Sequence, residues 1–215
     1  MSLESSLRHG LVELGLDLTA GQIAQLLDYV GLIGKWNKVY NLTAVRDAQD
    51  MVVQHLLDSL AVVLPLRRHL QGRAARLLDV GSGAGLPGVV LAICDPDLQV
   101  DCVDTVAKKA AFIQQVAASL RLPNLRGVHA RVESLTGPYD VVSSRAFASL
   151  RDFVAWSSGA MGAHGVWLAL KGKHPEAELA ELPSGGGVVH VEQLQVPQLD
   201  AERCIVWLKP SVARP

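Results

Sequence analysis

An α/β protein built on a mostly parallel sheet, with helices on both faces and an antiparallel pair of strands at its end, is what this sequence predicts. Three observations carry the expectation. From Arg76 onward, short apolar runs alternate with helical stretches, the pattern of consecutive βαβ units. A glycine-rich loop, Gly81 to Gly88, follows the first of those runs and opens a helix. The last two runs, Val188–Val196 and Arg203–Lys209, are joined by a Pro-containing loop with no room for a helix, so they must pair antiparallel.

The elements follow in order. Thr19 and Gln22 form a capping box, after which Ile23, Leu26, Leu27, Val30 and Ile33 recur at helical spacing. A second amphipathic run starts at Asp47 and carries Val53, Leu56, Leu57, Leu60 and Leu64, with Pro65 expected to close it. Trp36 to Thr43 is expected to connect the two. Strands are expected at Leu77–Val80, Leu98–Val103, Leu125–His129, Tyr139–Ser143 and Gly165–Leu170. Helices are expected at Val89–Cys94, Ala107–Leu120 and Leu150–Ala160, with a short helical turn at Val132–Leu135. With the closing pair, the sheet has seven strands. Residues 1–70 are expected to form a helical extension packed on a core of residues 71–215, in one compact unit; Ser211–Pro215 carries no assignable role.

Composition narrows the function classes. Of 215 residues, 49% are hydrophobic and 19% charged, enough apolar mass for a sizeable core and too much for disorder. Lys plus Arg total 20 against 21 acids, so a polyanion has to be met by a local patch rather than by a global field. Cys94, Cys102 and Cys204 sit in apolar stretches and form no CxxC pair, which argues against a disulfide framework or a zinc knuckle. No HExxH, Walker lysine or Cys–His cluster is present, so no metal dependence is expected. The N-terminus lacks a signal-peptide pattern. The longest uncharged stretch, Phe153–Leu170, is interrupted by glycines, serines and a histidine. A cytoplasmic protein without membrane partners is the expectation.

The glycine loop is the most informative stretch. Glycines let the backbone turn sharply and approach a ligand, and a helix N-terminus presents unpaired N–H groups. Gly83, Gly85 and Gly88 fit the dinucleotide spacing G-x-G-x-x-G; Gly81, Gly83 and Gly85 fit the G-x-G-x-G usual in S-adenosylmethionine enzymes. Asp104, 19 residues after Gly85, ends the second strand, where a carboxylate can accept from both ribose hydroxyls. Its plainer role is a cap for the next helix, and the two roles are compatible. Asp101 is a rival, expected to lie inside the strand. Glu133, after the third strand, is placed to read an adenine edge, though alone it would pass for a solvated side chain.

The loop DVGSGAGLPG resembles that of the bacterial RsmG family, formerly called glucose-inhibited division protein B. So do RVESL, SSRAFASL, LALKGK and the upstream WNKVYNLTAVRD and HLLDSL, in that family's order from about residue 20 to the C-terminus. The resemblance implies a class I S-adenosylmethionine methyltransferase fold (Rossmann-like) acting on guanine N7 in 16S ribosomal RNA. It implies S-adenosylmethionine as methyl donor and 16S rRNA or the small ribosomal subunit as partner; a monomer without DNA partners is the expectation. It assigns cofactor binding to Gly81 and Leu86, Val132 and Glu133, and Arg145, with Asp104 on the ribose; Gly83 and Gly85 join them as parts of the loop.

Guanine N7 has an exposed in-plane lone pair, so no proton has to be removed and no general base is assigned. Arg145, Arg151, Lys171 and Lys173 follow the fourth and fifth strands and are candidates for RNA phosphates. Lys108 and Lys109 are read as solvated. Arg67, Arg68, Arg73 and Arg76 form a second basic group that could meet RNA. His55 and Asp58, three apart, are read as a surface pair on a helix, and Trp36 and Tyr40 as residues locking helices to the sheet. Three rivals stay open: a small-molecule methyltransferase, an NAD-dependent dehydrogenase, and a non-catalytic rRNA-binding module.

Overall fold

A computed structural model describes residues 2–182 and 187–210; Ser211–Pro215 lies outside them. The first third is helical. α1 (Leu3–Leu14) begins at the Ser2 cap and ends on Gly15 in the left-handed region. α2 (Ala20–Tyr40) starts at the capping box: Thr19 Oγ1 accepts from the Gln22 amide at 3.2 Å, while the Gln22 side chain accepts from the Thr19 amide at 3.0 Å. It runs on to Tyr40, so Trp36 and Tyr40 sit on a helix rather than in a connector. Asp47 caps α3 (Ala48–Met51), which continues through a π-helical stretch (Val52–Leu57) into α4 (Asp58–Leu60).

Pro65 does not end this helix. The break comes at Ala61–Val62, and Pro65 lies in the first turn of α5 (Val63–Leu70), where a missing N–H costs no helical hydrogen bond.

The sheet is β1 (Ala75–Val80), β2 (Leu98–Asp104), β3 (Leu125–His129), β4 (Tyr139–Arg145), β5 (Met161–Lys171), β6 (Gly187–Leu194) and β7 (Arg203–Lys209), in the order β3-β2-β1-β4-β5-β7-β6. β1 to β5 are parallel, and β7 runs antiparallel to β5 and to β6. Side chains alternate faces, as the two-residue period of a strand demands. Leu77, Val141, Leu168 and Ile205 enter one core with apolar side chains of α1 to α5 and with α6 (Gly88–Cys94) and α7 (Ala107–Leu120). Leu78, Val80, Val142 and Val206 enter the other, under α8 (Leu150–Ser157) and the turns flanking it. The short helix α9 (Glu176–Ala180) was not anticipated. Among the described residues, no helix is long and apolar enough to cross a membrane.

The chain's direction across the sheet reverses between β1 and β4. Ligands in open α/β sheets bind outside the carboxyl ends of the strands at such a point. Two clefts open there, side by side.

Candidate functional site

The first crevice lies over the ends of β1, β2 and β3 and has a volume of about 360 Å³, within the range of small-ligand pockets. Val80 and Val103 form its apolar base, Asp104 and Lys109 one side, and Ala130 to Glu133 the other. Phe147 and Trp156, whose rings meet edge to face at 5.9 Å, also line it. Asp104 is buried, and its carboxylate holds the loop together: Oδ2 accepts from the Gly83 amide at 3.1 Å and Oδ1 from the Val106 amide at 2.9 Å. Lys109 Nζ stands 3.5 Å from Oδ2. An ionised carboxylate accepts about four hydrogen bonds, so capacity remains for a ligand's hydroxyls. The helix cap expected at Asp104 falls instead on Val106, which makes no side-chain cap; Asp104 closes a turn onto the Val106 amide and keeps room for ribose hydroxyls. Asp101, its rival, is turned to the opposite end of the sheet, fixed by Arg126 and the Tyr139 hydroxyl.

The glycine loop divides its labour. Gly81, Gly83 and Gly85 all have positive φ (64°, 59° and 92°) and make the bends. Gly88 instead lets α6 approach the sheet: a Cβ there would fall 2.5 Å from Cys102 Sγ. The loop amides are largely used within the chain. Those of Gly81 and Ser82 donate to the Val103 carbonyl, and those of Gly85 and Leu86 to the Ser82 carbonyl. The loop therefore offers a shaped wall more than a row of open donors. Behind it the buried Tyr29 hydroxyl donates to the Ala84 carbonyl at 2.5 Å, tying α2 to the turn. Asp79 lies beneath, accepting from the Gly88 amide and the Ser143 hydroxyl, both at 2.9 Å; burial pushes its pKa from 3.8 to about 6.

Of the residues expected at the site, Gly81, Asp104, Val132 and Glu133 line this crevice. Glu133 is exposed and paired with Arg131 at 3.2 Å, and contacts to its own amide and to Arg131 lower its pKa. Gly83, Gly85 and Leu86 shape the loop without lining the crevice. Arg145 turns the other way, into the neighbouring cleft of about 420 Å³ over the ends of β4 and β5. Ala146, in the left-handed region at φ 51°, lines both cavities and separates them.

Arg151 is exposed on α8, and Lys173 lines a third cavity beside the β6–β7 loop. Lys171 is fixed by both Glu178 oxygens and the Ala148 carbonyl. Lys109 corrects its expected role as a solvated residue, since it lines the crevice. Lys108 sits 5.1 Å over the Tyr40 ring.

His55 and Asp58 are not a surface pair. Both are buried, and each has other partners. His55 Nε2 lies 2.9 Å from Thr43 Oγ1, and burial followed by the nearby Arg145 lowers its pKa. Asp58 takes Arg145 and Arg203. The second basic group is engaged inside the chain: Arg67 with Asp95, Arg68 with Glu192, Arg73 with the Leu70 carbonyl, and Arg76 over the Tyr139 ring at 4.6 Å. Trp36 packs at 5.3 Å on Phe112 of α7, so it joins helix to helix and not helix to sheet, and Tyr40 is exposed.

Phe147, Trp156 and Arg203 were missed by sequence reasoning. Phe147 was visible within the SRAF run; nothing local marked the other two.

Residues 22–206 match a sequence model described as "GidB: rRNA small subunit methyltransferase G". A protein of Acidovorax ebreus (strain TPSY) named ribosomal RNA small subunit methyltransferase G is 66% identical, covering 97% of this chain and 96% of its own. Its namesake in Polaromonas sp. (strain JS666 / ATCC BAA-500) is also 66% identical, over 96% and 93%. Among solved structures, TrmN from Thermus thermophilus aligns with a TM-score of 0.55 at 16% identity, over 74% of this chain and 53% of that one. A SAM-dependent methyltransferase from Aquifex aeolicus gives 0.51 at 15%, over 70% and 92%. At such identities these two structures speak for the fold alone.

Proposed function

The chain belongs to the rRNA small subunit methyltransferase G family, and from that premise we propose that it methylates N7 of a guanine in 16S rRNA with S-adenosylmethionine as donor. That it is an rRNA methyltransferase with a class I methyltransferase fold follows from the family and its structural neighbours. The donor and the target atom are the finer reading.

One observation carries that reading: a crevice at the switch point with a buried carboxylate on one side and Val132–Glu133 on the other. This donor set fits an adenosyl group. Asp104 keeps acceptor capacity for ribose hydroxyls, Glu133 offers a carboxylate to an adenine edge, and Val80, Val103 and Val132 supply an apolar bed. S-adenosylmethionine, when bound, supplies an electrophilic methyl group on a cationic sulfur.

The chain's part is then positional. Asp104, braced by the Gly83 and Val106 amides, would hold the ribose of the donor. Phe147 and Trp156 add apolar ring surface to the crevice. No side chain has to take a proton, because N7 attacks with a free lone pair. Aligned approach can itself be worth roughly 7–11 kcal/mol, so a site without an acid–base pair is sufficient. The partner in this reading is 16S rRNA or the small subunit, met in the cytoplasm.

The test is transfer of labelled methyl to 16S rRNA or small subunits lacking the modification, followed by mapping of the modified atom. N7-methylguanine at a single site is expected. Methylation of small purines but not RNA would move the protein to the small-molecule class.

A further inference from the structure

Where the end of α2 meets the start of α7, cations stand together without acids. No Asp or Glu occurs from Tyr29 to Arg46 or from Thr105 to Val132, although the chain as a whole carries 21 acids against 20 Lys and Arg. Lys35, Lys38 and Lys108 are exposed. Elsewhere cations find carboxylates: Arg67, Arg126, Arg145, Lys171 and Arg203 all stand in ion pairs. Among the described residues, Lys35, Lys38 and Lys108 stand in none.

Helix electrostatics do not account for all three. Lys38 suits the negative end of the α2 dipole. Lys108 has the opposite position, in the first turn of α7, where the dipole disfavours a cation and Val106 provides no side-chain cap. Apolar surface lies among these charges, since Val39, Tyr40 and Val106 are also exposed. Lys108 Nζ stands 5.1 Å from the centre of the Tyr40 ring, which marks the point where the two helices meet.

The course of α2 brings this patch to the rim of the sheet. Gln22 donates to the Ile93 and Cys94 carbonyls at the far end of α6. Tyr29 then reaches the glycine loop. Tyr40 lies roughly 16 Å further along, at about 1.5 Å per residue. Val106 lines the crevice, so patch and crevice share an edge.

We propose that Tyr40, Lys35, Lys38 and Lys108 form the docking surface for the single-stranded rRNA that flanks the methylated guanine. This rests on the reading of the protein as a 16S rRNA N7 methyltransferase. A single strand offers phosphates to the lysines and base faces to the exposed ring, and such stacking tolerates any base. On a chain of nearly balanced charge, an acid-free patch draws a polyanion to one place. RNA held there lies beside the crevice that Val106 edges.

The variants that test this are Lys35→Gln, Lys38→Gln and Lys108→Gln combined, Tyr40→Leu, Tyr40→Trp, and Arg121→Asn as a charge control at the other end of α7. Affinity for 16S rRNA or for small subunits lacking the modification, whichever the wild type methylates, is measured against salt. Methylation, S-adenosylmethionine affinity and thermal unfolding are followed in parallel. The combined lysine variant should lose about 0.7 per phosphate from the slope of log affinity on log salt, roughly 2 in all. Its KM for RNA should rise more than tenfold, with kcat, cofactor affinity and unfolding temperature at wild-type values. Tyr40→Leu should weaken RNA binding about tenfold at unchanged slope, and Tyr40→Trp should restore it. Arg121→Asn should change neither slope nor KM.

A combined variant with wild-type slope and KM overturns the proposal. So does an equal loss per charge in Arg121→Asn, which would make the effect one of net charge, and so does full RNA affinity in Tyr40→Leu. Wild-type protein that neither binds nor methylates RNA would instead overturn the functional reading, so the two failures are distinguishable.

Discussion

Gly81 and Gly85 look alike in the sequence and do different things. A Cβ at Gly81 would lie 2.3 Å from the Phe147 ring, so this glycine lets Phe147 settle over the crevice. A Cβ at Gly85 would lie 2.5 Å from both Val89 and Ile113, so that glycine lets α6 and α7 close on the loop. Gly81→Ala should therefore displace Phe147 and weaken cofactor binding about tenfold, at a stability cost of about 1–2 kcal/mol for the left-handed backbone. Gly85→Ala should lose more stability, since overpacking adds about 1–3 kcal/mol to the same strain. Ligand titration and thermal unfolding of both variants check this; equal unfolding shifts with unchanged binding would contradict it. The motif was legible, but the direction of each side chain was not. Arg145 shows why: its turn away from the crevice is set by Asp58, distant in sequence.

The helices show the same split between local and distant causes. The capping box and apolar spacing of α2 were plain because Thr19 and Gln22 act locally. Its reach to Tyr40 was hidden, because Trp36 and Asn37 resemble connector residues until Phe112 and the Val45 carbonyl are seen to hold them. The π-helical stretch around His55 had no sequence mark at all; such insertions often accompany functional positions, and this one faces the second cleft. α2 also bears on the cofactor loop through Tyr29. Tyr29→Phe leaves the Ala84 carbonyl buried without that donor, and should cost about 1–3 kcal/mol and loosen cofactor binding. Unchanged unfolding and binding in Tyr29→Phe would remove α2 from the positioning of the loop.

Across the whole molecule, the alternation of apolar runs with helices was enough to give seven strands and the closing antiparallel pair. Strand order was not legible, because it depends on which long-range pairings win. The sheet's centre also carries a pH signature. Asp79 ionises in the native state only near pH 6, because burial disfavours its charged form. As pH rises from about 4 to about 6, the unfolded chain ionises there while the native one stays protonated, so stability falls. The loss is on the order of 3 kcal/mol and is complete above the native pKa. Asp79→Asn should flatten that segment of the stability curve, gaining on the wild type as pH rises from 4 to 7; parallel curves would show that Asp79 does not titrate there.

The first crevice is where the function is decided. Calorimetric titration of S-adenosylmethionine, with NAD in parallel, into the wild type and into Asp104→Asn is the most direct measurement. S-adenosylmethionine should bind the wild type and bind the folded variant about tenfold more weakly, with no NAD response in either. Binding of NAD without S-adenosylmethionine, or equal affinity in the two proteins, would contradict it.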